Sequence, residues 1–223
     1  MQDLIKQEIF EIEVLEKLKN KRILEPLVFV GETMLRLCHD LNRYSTDLDF
    51  WLIKKVDTKK YFTKIVEALK QDYIITDSQI KFYTILVEIK SDKYPRKLKV
   101  EIRKEKECEF EEKIAFSKFT NTQVLLKCAT LKQMLENKIE AFLERKEIRD
   151  CFDIEFILRR GEELSLNKEK LKKMLDIIKS FTPADYNVTL GSILEPEVRK
   201  YYTKSNFKYL IEKINEKLLL LKK

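Results

Sequence analysis

Apolar residues recur at three- and four-residue steps across residues 4–18 (Leu4, Ile5, Ile9, Ile12, Leu15, Leu18), the period of an amphipathic helix. Pro26 closes the connection that follows, and residues 27–30 form a short apolar run ending at Gly31. Residues 33–41 resume the helical period, so this stretch predicts a strand, a glycine turn and a helix. Residues 47–53 return as an apolar strand with acidic residues at its start. A helix is expected over residues 58–70, then strands over 81–89 and 97–103, joined hairpin-fashion across 92–95.

After Glu112 the pattern changes. A brief apolar run at 124–126 precedes Thr130, which stands where a helix N-cap belongs, and helices follow over 131–145 and 149–159, the latter ended by Gly161. Two more helices are expected over 168–180 and 206–221, on either side of a region at 183–196. The pattern predicts an α/β (α+β) chain: residues 1–115 as an α/β domain and residues 116–223 as a helical domain. No internal repeat or low-complexity tract interrupts it.

Composition adds to this picture. With 44% hydrophobic and 37% charged residues the chain is a folded one with a heavily solvated surface. Only 3 Gly and 4 Pro leave long stretches for helices and argue against a sandwich of many tight turns. The first twenty residues mix charges into their apolar positions, so they form neither a signal peptide nor a membrane span, and no stretch is long enough to cross a bilayer. The expectation is a soluble cytoplasmic protein with no membrane partner.

The net charge of +7 favours polyanionic partners, nucleic acid or nucleotide phosphates, without choosing among them. It is concentrated over residues 199–223, where eight basic residues face two acidic ones. Cys38, Cys108, Cys128 and Cys151 lie far apart with no C-x-x-C pair, and His39 is the one imidazole. That argues against a zinc site and for free thiols, buried in the cases of Cys38 and Cys128.

Candidate chemistry concentrates in VFVGETMLRLCHDLNRYSTDLDFWL. On a strand, residues two apart share a face, so Asp47 and Asp49 project together while Leu48 and Phe50 face the core. Two parallel carboxylates repel unless a cation lies between them, and oxygen-only ligands suit Mg²⁺ or Mn²⁺. A pair of such ions about 3.5–4 Å apart can hold the attacking and leaving oxygens of a phosphoryl transfer. Gly31 lets the backbone pass close to a ligand, and the amides opening the helix at Thr33 can receive a triphosphate. A third carboxylate is expected from a later strand; KLKVEIRKE supplies Glu101, with Glu88 in ILVEIK as the competitor.

A glycine turn between strand and helix, then Asp-apolar-Asp-aromatic on a strand, is the pattern of polymerase-β-like nucleotidyltransferases. RYSTDLDF preceded by VGETMLRL resembles the signature of the AbiEii/AbiGii toxin family within them. LKQMLENKIEAFLERKEIRDCFDIEFIL resembles that family's second block, a lysine before a helical turn and then Arg-Asp-x-x-Asp. The two blocks span residues 27–160, and LGSILEPEVRKYYTKSNFKYL looks like the tail of one branch.

The resemblance implies a polymerase-β-like mixed sheet with flanking helices, the helical half completing the active-site cleft. It implies a metal-dependent nucleotidyltransferase, using Mg²⁺ or Mn²⁺, that moves a nucleoside monophosphate from an NTP to RNA, such as a tRNA 3′ end, or to a protein, releasing pyrophosphate. Such a protein is the toxin of a toxin–antitoxin pair with a cognate antitoxin. By position, Asp47 and Asp49 match the metal ligands, with Glu101 beside them. Lys138 matches the lysine that meets the triphosphate, and Asp153 the last acidic position, a base or an orienting group for Lys138. Arg149 and Asp150 are read as a structural ion pair. Gly31, Thr33 and Ser45 are nucleotide-side candidates, and Arg43 contacts phosphate or braces the turn. His39 reads as a packing residue, and Phe50 and Trp51 as core.

One position departs from the family: Glu32 stands where the second glycine belongs. Its carboxylate can repel a triphosphate, turn away to cap the helix, or join the metal site. The competing reading is therefore a nucleotidyltransferase-like protein that binds nucleotide or RNA without turnover.

Overall fold

The computed structural model describes residues 2–104 and 107–221. It forms two compact units, residues 1–130 and 131–223. The first holds strands β1 (Leu27–Val30), β2 (Asp47–Leu52), β3 (Ile74–Ile80), β4 (Thr84–Lys90), β5 (Leu98–Arg103), β6 (Phe110–Phe116) and β7 (Gln123–Ala129), with helices α1 (Gln2–Asn20), α2 (Gly31–His39) and α3 (Thr58–Lys70). The sheet order is β3-β4-β5-β2-β1-β7-β6. It is mixed: β1 runs antiparallel to β2 and parallel to β7, and β2 runs parallel to β5.

The expected mixed sheet with helices is present. It extends to Ala129 because the β6–β7 hairpin runs past residue 115, with β7 wholly beyond it. Two edge strands escape the sequence pattern. β3 reads IITDSQI and β6 reads FEEKIAF; each carries charge or amide groups along a half-solvated edge, which protects it from pairing and erases the apolar run. The strand expected over 81–89 begins at Thr84, because Lys81 N–H donates to the Thr84 carbonyl and residues 81–83 make the β3–β4 turn.

Side chains on one sheet face form the core of this unit, with Phe29 and Phe50 rings 5.1 Å apart and Leu48, Val100, Ile102, Ile85 and Val87 buried. α1 is less simply amphipathic than its period implies. Gln7, Glu8 and Glu11 are buried on it. The Gln7 amide donates to the carbonyls of Thr46 and Lys97, tying together the segments that lead into β2 and β5. Glu8 accepts from Arg36 at 2.9 Å, and that guanidinium also donates to the Leu41 carbonyl and lies over the Tyr44 ring. Burying an ion pair is costly unless its remaining groups are satisfied, and this pair meets that condition.

The second unit contains α4 (Leu131–Arg145), α5 (Ile148–Arg159), α6 (Lys168–Ser180), a π-helical segment (Asp185–Leu190), α7 (Pro196–Ser205) and α8 (Lys208–Leu220). α4 and α6 occupy the expected residues. The region at 183–196 contains the π-helical segment, and α7 starts on Pro196, whose missing N–H costs nothing at a helix start. Glu155, fully buried on α5, accepts from Arg159, from the Tyr202 hydroxyl and from the Leu210 amide in the first turn of α8. One carboxylate thereby caps α8 and ties it to α5.

Candidate metal and nucleotide site

β2 alternates strictly, Leu48, Phe50 and Leu52 buried and Asp47, Asp49 and Trp51 half-buried on the opposite face. Phe50 is core as expected, whereas Trp51 shares the face of the aspartates. The parallel register with β5 sets Asp47 beside Lys99 and Asp49 beside Glu101. Adjacent strands lie about 4.8 Å apart, so Glu101 is an immediate neighbour of Asp49. Glu88 pairs with Lys99 one strand further out, about 10 Å from β2, and its carboxylate is held by Lys97 at 2.6 Å and the Thr76 hydroxyl at 2.6 Å. Those partners pull the Glu88 carboxyl below its ordinary range. Glu101, not Glu88, is the carboxylate that the register brings to the aspartates.

Burial pushes the Asp47 carboxyl up; Lys99 opposes the shift, and Glu32, Glu101 and Glu88 reinforce it. A group of carboxylates that disfavour one another's charge is what a hard divalent cation relieves. The donor set, oxygen only, fits Mg²⁺ or Mn²⁺.

The turn ahead of α2 supplies the second part. Gly31 has φ +79°, and a Cβ there would lie 2.7 Å from Asp49 Oδ2. Any side chain would press on the carboxylate, so glycine is required both by the backbone and by the close approach. α2 opens on Val30, an N-cap residue with no side-chain acceptor, which leaves the helix start as an anion-facing end. The buried Thr33 hydroxyl donates to the Asp47 carbonyl at 2.5 Å and so fixes the start of β2. Ser45 is half-buried in the loop before β2. Arg43 is buried and its guanidinium lies 3.4 Å from Glu32.

In the second unit, Lys138 on α4 and Asp150 and Asp153 on α5 are all buried. The Lys138 ammonium lies 2.7 Å from Asp153 and 3.4 Å from Asp150. Arg145 forks onto both oxygens of Asp150, at 2.7 and 3.2 Å. The expected Arg149–Asp150 pair is not made: Arg149 bonds Glu147, because successive residues of a helix point in different directions, Asp150 inward and Arg149 to the surface. Burial pushes the Asp150 carboxyl up against the opposing pull of Lys138 and Arg145. Buried Lys138 and solvent-exposed Arg145 thus balance two buried carboxylates.

The model of the nucleotidyl transferase AbiEii toxin of type IV toxin–antitoxin systems matches residues 13–211. The chain belongs to the AbiEii nucleotidyltransferase toxin family. Two solved Helicobacter pylori structures share the fold. JHP933 superposes with a TM-score of 0.58 at 22% identity, and a candidate nucleotidyltransferase with 0.57 at 23%; in each case 97% of both chains is covered. No curated protein matches the chain.

Sequence reasoning missed the buried polar residues behind β2 and β5: Gln7, the Glu8–Arg36 pair and Glu11. The signal was present, as charges in the apolar positions of α1, but periodicity alone cannot say that they are buried. It also left His39, Cys38 and Cys128 unconnected. In the structure His39 and Cys128 are buried and Cys38 is half-buried, and the three side chains are neighbours. Among the described residues no helix is long and apolar enough to cross a membrane.

Proposed function

We propose that this chain is a metal-dependent nucleotidyltransferase that moves a nucleoside monophosphate from an NTP to an RNA acceptor, releasing pyrophosphate, as the toxin partner of a cognate antitoxin. The observation that carries the reading is the register that sets Glu101 beside Asp49, with Gly31 pressed against the same carboxylate. Asp47 and Asp49, with Glu101, are the groups that hold Mg²⁺ or Mn²⁺, and a cation held there neutralises charge on phosphoryl oxygens. The start of α2 at Gly31 and Thr33, with Ser45, receives the phosphates of the NTP. Lys138 is the phosphate-binding ammonium, kept oriented by Asp153. In-line displacement depends on positioning and charge neutralisation more than on covalent participation by the protein, so carboxylates and cations suffice.

The basic stretch over residues 199–223 favours RNA over protein as acceptor. Part of that charge is internally paired, Lys213 with Glu216 and Lys208 with Glu212, and Lys222 and Lys223 lie outside the described residues. The binding-only alternative rests on Glu32. Its contact with Arg43 supports the catalytic reading, because the guanidinium offsets the carboxylate at the phosphate-facing turn.

The test is transfer of labelled nucleotide from each of the four NTPs to total cellular RNA or protein, with Mg²⁺. Labelled RNA whose 3′ ends gain nucleotides supports the proposal. Nucleotide binding without pyrophosphate release supports the binding-only alternative.

A further inference from the structure

We infer that Cys38, His39, Cys128 and Glu111 form a second, soft-metal site that takes Zn²⁺, separate from the aspartates. The four residues come from three elements. Cys38 and His39 close α2, Cys128 lies on β7, and Glu111 lies on β6 as the register partner of Cys128. Ligand atoms of His39, Glu111 and Cys128 lie within 4.8 Å of one another. The thiol of Cys38 neighbours that of Cys128 but lies outside this group of three, so it serves as the fourth donor only by moving in. In a tetrahedral zinc site with bonds of about 2.0–2.3 Å the ligand atoms stand roughly 3.5 Å apart, so a contraction of about 1 Å closes the group of three.

The donor chemistry is two sulfurs, one imidazole nitrogen and one carboxylate oxygen, the set that borderline-soft Zn²⁺ prefers and Mg²⁺ does not. All four cysteines are free thiols, so both sulfurs are open to a metal. The site also lies at the C-terminal end of α2, whose dipole favours a cation. Lys113, 3.4 Å from Glu111, is half-solvated and is the cation that zinc displaces from that carboxylate.

The consequence is structural control of the nucleotide site. α2 begins at Gly31, against Asp49, and ends at Cys38 and His39. Zinc there pins the far end of this nine-residue helix to the β6–β7 hairpin and so fixes the position of its phosphate-facing start.

The test uses the full chain purified metal-free under reductant and titrated with Co²⁺ as an optical probe, then with Zn²⁺. The expected result is one Co²⁺ per chain with a thiolate-to-metal charge-transfer band and tetrahedral ligand-field bands, displaced by Zn²⁺. The band persists in an Asp47→Ala, Asp49→Ala double variant, which separates this site from the proposed catalytic one. Cys38→Ser and Cys128→Ser, each shown folded by circular dichroism, should weaken binding by more than the roughly 100-fold typical of residues that merely orient a ligand. Absence of a thiolate band in the wild-type chain overturns the inference whatever the variants do. So does a band of unchanged affinity in Cys128→Ser, or a Cys38–Cys128 disulfide that forms in preference to metal binding when both Zn²⁺ and oxidant are present.

Discussion

The Arg43 guanidinium lies 3.4 Å from the Glu32 carboxylate, at the turn where phosphates are proposed to approach. Glu32, the one departure from the family pattern, therefore comes with a cation from the loop before β2. Arg43 is nearly fully buried while the Glu32 side chain keeps 26% exposure, so the pair is partly screened. Glu32→Gln should cost about 1–2 kcal/mol of unfolding free energy, and Glu32→Gln with Arg43→Gln should cost less than the sum of the two. A urea-unfolding double-mutant cycle reads this directly. Strict additivity would mean that the two charges do not interact.

Gly31→Ala tests the close approach. Positive φ costs an alanine about 1 kcal/mol, and its methyl would meet Asp49 Oδ2 at 2.7 Å. The carboxylate has to move, and displacement of a reacting group by about 1 Å costs on the order of 100-fold in rate. The variant should fold with a small loss of stability, lose most of its Mg²⁺-dependent thermal shift, and transfer nucleotide about 100-fold more slowly. A wild-type Mg²⁺ response in Gly31→Ala would remove Asp49 from the metal site.

The raised Asp47 carboxyl gives a pH dependence of known sign. Between the ordinary carboxylate value and its raised folded value, the folded chain holds a proton that the unfolded chain has released. Stability from this group therefore falls as pH rises through that window. Glu11 and Asp150, also raised, contribute with the same sign. Mg²⁺ on Asp47 favours the charged form, so the fall should be shallower in Mg²⁺ than in chelator, and Asp47→Asn should abolish the difference. Unfolding free energies at stepped pH with and without Mg²⁺ measure it; equal slopes in the wild-type chain would contradict the assignment.

In the helical unit, Lys138→Met removes the ammonium 2.7 Å from Asp153 and 3.4 Å from Asp150, both fully buried. Removing one partner of a buried ion pair costs about 3 kcal/mol or more. The expected outcome is that loss of stability together with loss of transfer. Lys138→Arg, tested beside it, should recover stability more than rate, because a planar fork does not replace a point charge on a phosphate. Full stability of Lys138→Met would show that the contact is not structural.

Much of the central sheet could be read from the sequence because its strands, β1, β2, β4 and β5, are apolar on at least one face. β2 was legible to within one residue through its strict alternation, and α4 and α6 through uninterrupted helical period. β3 and β6 were not, since edge strands half-exposed to water carry charges where a core strand carries valine. Glu101 stood ahead of Glu88 in the sequence on alternation alone; register puts Glu101 beside Asp49, and Lys97 holds Glu88. Arg149 looked like the partner of its neighbour Asp150, and only the direction of the helix face sends one inward and the other to Glu147. Residues separated by about seventy to ninety positions, such as Cys38 and Cys128, carry no spacing signal at all; their meeting is a property of the sheet order.

Transfer of labelled nucleotide to RNA, by the wild-type chain and by the Asp47→Ala, Asp49→Ala double variant side by side with Mg²⁺, tests the central claim most directly. The account predicts labelled RNA 3′ ends and pyrophosphate with the wild-type chain from at least one NTP, and neither with the folded double variant. No labelling by the wild-type chain with any of the four NTPs, or equal labelling by the double variant, would contradict it.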